Sequence, residues 1–307
     1  MSTSDSDSDG KSSHEGKPPT EELQKEAPAA GEIVHDRLSA DETFQRIVAA
    51  ADEEVTRDNS ELFFSGLAAG FAITLTFLLH AVVAAAVSGP AETILGSLLY
   101  PLGFLYIIVG RYQLYTENTL PPVTLVLERI ASVPTLLRVW GIVLLANIFG
   151  AAAGAFVLAN SGVMSTEVAT AAAEFGRKAL EISPLDLFLK GLFAGWLVAG
   201  IVWLLHAVRD SVSRILLVYA VFLSIPAAEL YHVVVSVMDA LFLVFLGEIG
   251  LMPAVIGFLI PVLLGNTIGG VVLVALVNYA QTSDRLASDD ESQPRLSMRE
   301  WLFGPLA

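Results

Sequence analysis

Six apolar segments constrain this chain more than any other feature. They run from Leu62 to Val87, Ile94 to Leu114, Leu136 to Ala159, Leu185 to Ala207, Ile215 to Leu246 and Pro253 to Tyr279. No water in hydrocarbon satisfies a backbone N–H or C=O, so each segment must be helical, or irregular only where it is buried in protein or lines a wet cavity. With 54% apolar residues and a positive mean hydropathy, the chain reads as an all-α polytopic membrane protein with six transmembrane passes. Two passes are interrupted. The fifth is long enough for about one and a half crossings, and Ser224, Pro226 and the Glu229/His232 pair break it midway. The second is followed by the polar run Tyr115-Thr116-Glu117-Asn118-Thr119 and by Pro121-Pro122, which cannot continue a helical hydrogen-bond ladder.

The text repeats itself. Gly66-Leu-Ala-Ala-Gly70 leading to Leu79-His80 recurs as Gly191-Leu-Phe-Ala-Gly195 leading to Leu205-His206. Leu114-Tyr115-Thr116 recurs as Leu230-Tyr231-His232, and Val143 to Gly150 recurs as Val262 to Gly269, placing Asn147 opposite Asn266. The offsets are 125, 116 and 119 residues in one order. Three passes per half begin on opposite faces, so the two halves form an inverted-topology repeat whose broken helices meet near the midplane. Thr116 and His232 are then pseudo-symmetric partners on one pathway.

Outside the core, residues 1–38 read as a disordered acidic tail with neither the basic nor the apolar region of a signal peptide, and no cleaved signal is expected. Within 39–60, Ser39 and Glu42 make a capping box ahead of Phe44, Ile47, Val48, Ala51 and Val55 at helical spacing, which predicts a cytoplasmic amphipathic helix over Ala40 to Arg57. The transmembrane domain occupies 61–281, and 282–307 is an acidic cytoplasmic tail. Arg129, Arg138, Arg209 and Arg214 follow passes two and four, against Arg177 and Lys178 in the other loops, so both termini are expected in the cytoplasm. The net charge of -15 sits mostly in the tails and suits a salt-rich cytoplasm, a halophile-like habit, and no nucleic-acid partner is expected. Cysteine is absent, and no His-Glu-x-x-His run, nucleophile elbow or phosphate loop occurs. The sequence therefore predicts no enzyme activity, no metal and no cofactor.

Ionisable groups at membrane depth are transport-site candidates by default, against the plainer reading of a packed, hydrogen-bonded histidine. Glu229 lies three residues before His232, close enough on one helical face to raise the basicity of the imidazole if the backbone there is helical. Arg111 and Glu117 are expected to pair across the first break, bracing or plugging it. Asn147 and Asn266 are expected to hydrogen-bond the backbones of the two broken segments. Phe71, Phe77, Phe104 and Phe222 are candidates for apolar gates.

The order of these elements resembles the formate/nitrite transporter family over roughly Glu61 to Gln281. Gly110 to Thr116 is similar to the family's loop element after pass two with one extra residue, Leu230-Tyr231-His232 to its pass-five histidine element, and Asn147 to Ala151 and Pro261 to Gly270 to its pass-three and pass-six elements. The resemblance implies an aquaporin-like fold, a homopentamer with one pore per protomer, and a channel or proton-coupled carrier for small monovalent anions in the plasma membrane. It further implies that Thr116 is the loop threonine, His232 the central histidine and Lys178 the vestibule lysine. Departures mark a divergent member: the family's pass-four asparagine falls on Gly195, and Val-Val-Val-Ser236-Val-Met-Asp239 follows the histidine. Two other functions compete with anion transport. An aquaporin-like channel for neutral solutes would want Asn-Pro-Ala pairs, which both broken segments lack, and a non-transporting scaffold or sensor would follow if Arg111 and Glu117 closed the path.

Overall fold

The computed structural model describes residues 38–89, 91–282 and 295–304, and the described residues outside turns are helical. The expected acidic tail 1–38 lies outside them apart from Leu38. Helix α1 spans Ala40–Thr56, and its capping box is formed: Ser39 N donates to Glu42 Oε2 at 2.7 Å and Glu42 N to Ser39 Oγ at 3.1 Å. Its stripe of Phe44, Ile47, Val48 and Ala51 is buried.

Among the described residues, four helices are long and apolar enough to cross a membrane: α2 (Asn59–Ala86), α6 (Val133–Ala159), α8 (Pro184–Ala207) and α11 (Leu251–Gln281). Two further apolar stretches are divided into shorter helices. The first consists of α3 (Glu92–Gly96) and α4 (Pro101–Val109), then α5 (Pro121–Leu127) beyond a non-helical stretch. The second consists of α9 (Ser211–Ala227) and α10 (Val233–Phe245). The amphipathic α7 (Thr166–Glu181) joins α6 to α8. Helix α11 widens into π turns at Ala254–Leu259 and Val271–Leu276. The first of these ends beside Pro261, whose ring crowds the carbonyl one turn back and whose nitrogen has no hydrogen to give it.

Both breaks start with the same turn. At the end of α4, Tyr112 N bonds Ile107 O at 3.0 Å and Arg111 N bonds Ile108 O at 3.2 Å, with Arg111 at φ 56°. At the end of α9, Leu230 N bonds Ile225 O at 2.8 Å and Glu229 N bonds Pro226 O at 2.9 Å, with Glu229 at φ 52°. This is the Schellman termination, usually built on glycine and here on charged residues at a cost of about 1 kcal/mol each.

Close backbone approach fixes the two long helix pairs. A Cβ at Gly70 would collide with the Asn147 carbonyl, and one at Gly195 with the Asn266 carbonyl. Helix α2 thereby lies against α6, and α8 against α11. Gly195 stands where the family resemblance leads one to expect asparagine, and the Asn266 backbone leaves a side chain no room there. Gly150 and Gly154 likewise pack against Leu67 to Phe71 and Thr74, so this glycine face is occupied within the protomer.

Within the stretch 282–307, residues 283–294 and 305–307 lie outside the described residues, and 295–304 pack on the rest of the chain. Helix α12 (Met298–Phe303) carries its own capping box, Leu296 N donates to Arg129 O at 2.8 Å, and Trp301 Nε1 donates to Val126 O at 2.7 Å. Arg295 reaches the buried Glu128 carboxylate at 3.2 Å. Trp301 packs with the α1 stripe on one apolar cluster with Leu120, Val123, Leu125 and Val126.

Candidate functional site

Each break is held by one asparagine. Asn147 accepts from Tyr115 N at 2.9 Å and donates to Gly66 O at 2.8 Å and Gln113 O at 2.9 Å. Asn266 accepts from Val233 N at 2.9 Å and donates to Gly191 O at 2.8 Å and Tyr231 O at 2.9 Å. Both side chains are fully buried. Each amide thus satisfies three backbone groups, two of them in a broken segment, that would otherwise be orphaned away from water.

These clamps bring Thr116 and His232 together. Thr116 Oγ1 and His232 Nε2 share a hydrogen bond of 2.8 Å between residues each 1% exposed. Thr119 Oγ1 donates to Thr116 O at 2.8 Å, fixing the threonine. His232 Nδ1 has no protein partner. A buried N–H left unpaired is rarer than an unpaired acceptor, which favours the neutral ring with its proton on Nε2 and its Nδ1 lone pair open. Phe104 and Phe222 stack at 3.8 Å between centroids, and both approach the imidazole edge to face, at 4.9 and 6.5 Å. Phe77 is also buried, against Phe242 at 5.2 Å, whereas Phe71 is 52% exposed and cannot constrict an internal path.

A cavity of about 460 Å³ opens on His232, with Lys178, His80, Tyr100, Glu229 and Asp239 in its wall. Lys178 is exposed on the last turn of α7. His80 stacks on Phe175 at 4.1 Å and meets Tyr100 edge to face.

Two expectations from spacing fail. Glu229 is not on a helical face with His232, because its left-handed backbone ends α9 and His232 caps the next helix; its side chain is 69% exposed, 4.0 Å from Lys190 Nζ, which also donates to Glu229 O at 2.9 Å. Arg111 and Glu117 form no ion pair within 4.0 Å among the described residues. Arg111 lies exposed at its left-handed turn, and Glu117 turns inward, where one carboxylate oxygen is buried without a hydrogen bond.

The charge facing Glu117 comes from a residue that sequence reasoning passed over, Glu54 of α1. Burial pushes the Glu54 carboxyl up to about 7, against the lowering pull of Arg57 and the Gln113 side chain. Asp239, which the sequence marks only as a departure from the family pattern, stands seven residues after His232, two turns along the same helix face.

Apolar helices long enough to span a bilayer, together with two interrupted ones clamped around a buried hydroxyl and imidazole, define a helical membrane protein of the channel and transporter class. The formate/nitrite transporter family model matches residues 41–280. Over 294 residues the chain is 29% identical to inner membrane protein YfdC of Escherichia coli (strain K12), covering 94% of each. Its fold is similar to that of a solved FNT family ion channel, with a TM-score of 0.71 at 19% identity over 78% of this chain and 98% of that one. It is also similar to a pentameric formate channel with formate bound, with a TM-score of 0.63 at 21% identity over 72% and 96% of the two chains. This chain belongs to the formate/nitrite transporter family.

Proposed function

We propose that this protein is a transmembrane channel or proton-coupled carrier for small monovalent anions of weak acids, formate and nitrite among them. The observation that carries the reading is the buried Thr116–His232 hydrogen bond, whose histidine lines the cavity and packs against the stacked Phe104 and Phe222. Moving a bare anion through an apolar ring costs many kcal/mol, whereas the neutral conjugate acid crosses cheaply. A useful pathway therefore attracts the anion, neutralises it and returns the charge beyond the ring.

Lys178 supplies the attraction at the cavity mouth. His232, with Nδ1 open and Nε2 held by Thr116, exchanges a proton with the passing molecule or hydrogen-bonds it. Glu229 tunes the mouth from the rim through Lys190, and Asn147 and Asn266 keep the two broken segments in register. In this reading six passes in two inverted three-helix repeats keep both termini on one side, and Arg129, Arg138, Arg209 and Arg214 support the cytoplasmic side, with the cavity facing outward. Five copies assemble with one pathway each, a reading supported by the likeness to a pentameric formate channel and by the apolar side chains that the protomer leaves exposed, such as Phe64, Leu145, Phe149 and Phe156. Helix α1 gates the cytoplasmic mouth through Glu54 and Glu117.

The test is uptake by proteoliposomes offered formate, nitrite, acetate, lactate and hydrosulfide, with glycerol as a neutral control. Saturable uptake of at least one anion and none of glycerol is expected. Glycerol flux without anion flux would return the protein to the neutral-solute reading.

A further inference from the structure

We propose that Asp239 is the entry filter of the pathway, a carboxyl that bars anions from the cavity while ionised and admits them once protonated. The proposal rests on the transport reading above and adds a residue to it. Asp239 is 6% exposed, lines the cavity, and has neither a side-chain hydrogen bond nor an ion pair within 4.0 Å among the described residues. A carboxylate with no protein partner in the wall of a confined, partly desolvated cavity is costly to ionise, so its place two turns along α10 from His232 calls for a use.

The surrounding charges leave it uncompensated. On its own side of the cavity stand His232, Ser236 and Tyr231, and Ser236 Oγ also has no protein partner. Helix α2 contributes His80, held flat on Phe175, and the start of α4 contributes Tyr100. Helix α7 contributes Lys178 and Glu181, and it closes directly over α10 here, since a Cβ at Gly176 would crowd the Asp239 carbonyl at 3.0 Å. Nearby cations are engaged elsewhere. Arg177 grips Glu248 at 2.6 and 2.8 Å, and Lys190 serves the Glu229 carbonyl. No residue of α6 or α11 appears in the cavity lining. The wall thus carries Lys178 against Glu181, Glu229 and Asp239, an unhelpful balance for an anion unless the deepest carboxyl is neutral when the substrate passes.

Like charges about 8 Å apart in partly desolvated surroundings repel by enough to lower occupancy roughly tenfold or more. Protonation removes that charge and supplies an O–H donor to the anion in its place. Entry then follows external acidity through Asp239, while proton exchange at His232 remains a separate event deeper in the path.

The experiment measures formate uptake into proteoliposomes across external pH from about 5 to 8 for wild type, Asp239→Asn and Asp239→Glu. The amide is uncharged at every pH and still donates, so Asp239→Asn uptake is expected to match wild type at the acid end and exceed it roughly tenfold at the alkaline end. Asp239→Glu keeps the wild-type slope. An Asp239→Asn profile parallel to wild type, at any amplitude, overturns the filter and leaves the transport reading standing. Wild-type vesicles that take up none of the anions remove the transport reading, and the filter with it. Should Asp239→Asn fail to assemble, infrared titration of the wild-type protein decides: a protonated-carboxyl band that responds to external pH and moves in Asp239→Glu is expected, and its absence overturns the proposal.

Discussion

At residues 111–120 the interrupted helix is sealed, while at 228–232 it stands open to a cavity. The two breaks share their parts: a Schellman turn on a charged left-handed residue, a buried asparagine making three backbone hydrogen bonds, and a glycine that lets that asparagine's helix come close. Their surroundings differ. The first break is packed under α1 and α5, with Gln113, Tyr115, Thr116 and Asn118 all buried and Trp140 Nε1 donating to Asn118 O at 2.8 Å. The left-handed residue is exposed in both, Arg111 in the first and Glu229 in the second, but only the second sets its key side chain, His232, in the wall of the cavity. One scaffold therefore serves twice, once to hold a hydroxyl still and once to set an imidazole in the wall of a cavity.

If the clamps are equivalent, breaking either should cost the same. Asn147→Ala and Asn266→Ala each strand three buried backbone groups at about 1–3 kcal/mol apiece, so both variants should lose most assembled protein and melt well below wild type in detergent. A severe effect in one and a mild effect in the other would show that only one break depends on its clamp.

Thr116→Val sharpens the contrast between the holding side and the reacting side. It removes the partner of His232 Nε2 while keeping the shape of the side chain. Formate flux should fall by about tenfold, the equivalent of roughly 1.4 kcal/mol, with the shape of its pH profile retained. A changed profile at unchanged amplitude would assign the proton chemistry to the sealed break instead.

The smallest effect belongs to Glu54. Its carboxyl titrates near 7 with α1 in place, above the ordinary value of 4.5, so docking of α1 favours the protonated form. That contribution is complete below about 4.5 and is lost as pH rises through about 7, where Glu54 becomes charged in its buried place. Glu54→Gln should make protease protection of α1 independent of pH across this window, while wild-type protection declines. Equal decline in both would remove Glu54 from any gate.

Much of this was legible in the sequence because hydropathy and repetition report on the backbone. Pro226, Pro121-Pro122 and the polar run at Tyr115 marked the breaks, and the recurrence of Asn147 as Asn266 marked what holds them. Side-chain direction was less legible. Spacing alone put Glu229 beside His232 and Arg111 beside Glu117, but neither Schellman turn carries the glycine that would have announced it, and a single left-handed residue redirects everything after it. Glu54 meets Glu117 only through tertiary packing of α1, and the docking of α12 on the 125–131 turn had no counterpart in the composition of an acidic tail.

The central claim is that His232 links anion movement to protons, and the most direct measurement is the pH change inside liposomes when an anion gradient is imposed on wild type and His232→Asn. Asparagine can hydrogen-bond Thr116 but cannot titrate, so the variant should still assemble and still conduct anions, with loosened selectivity and no accompanying internal pH change. Wild-type proton coupling persisting intact in His232→Asn would contradict the account and leave His232 a packed, hydrogen-bonded core residue.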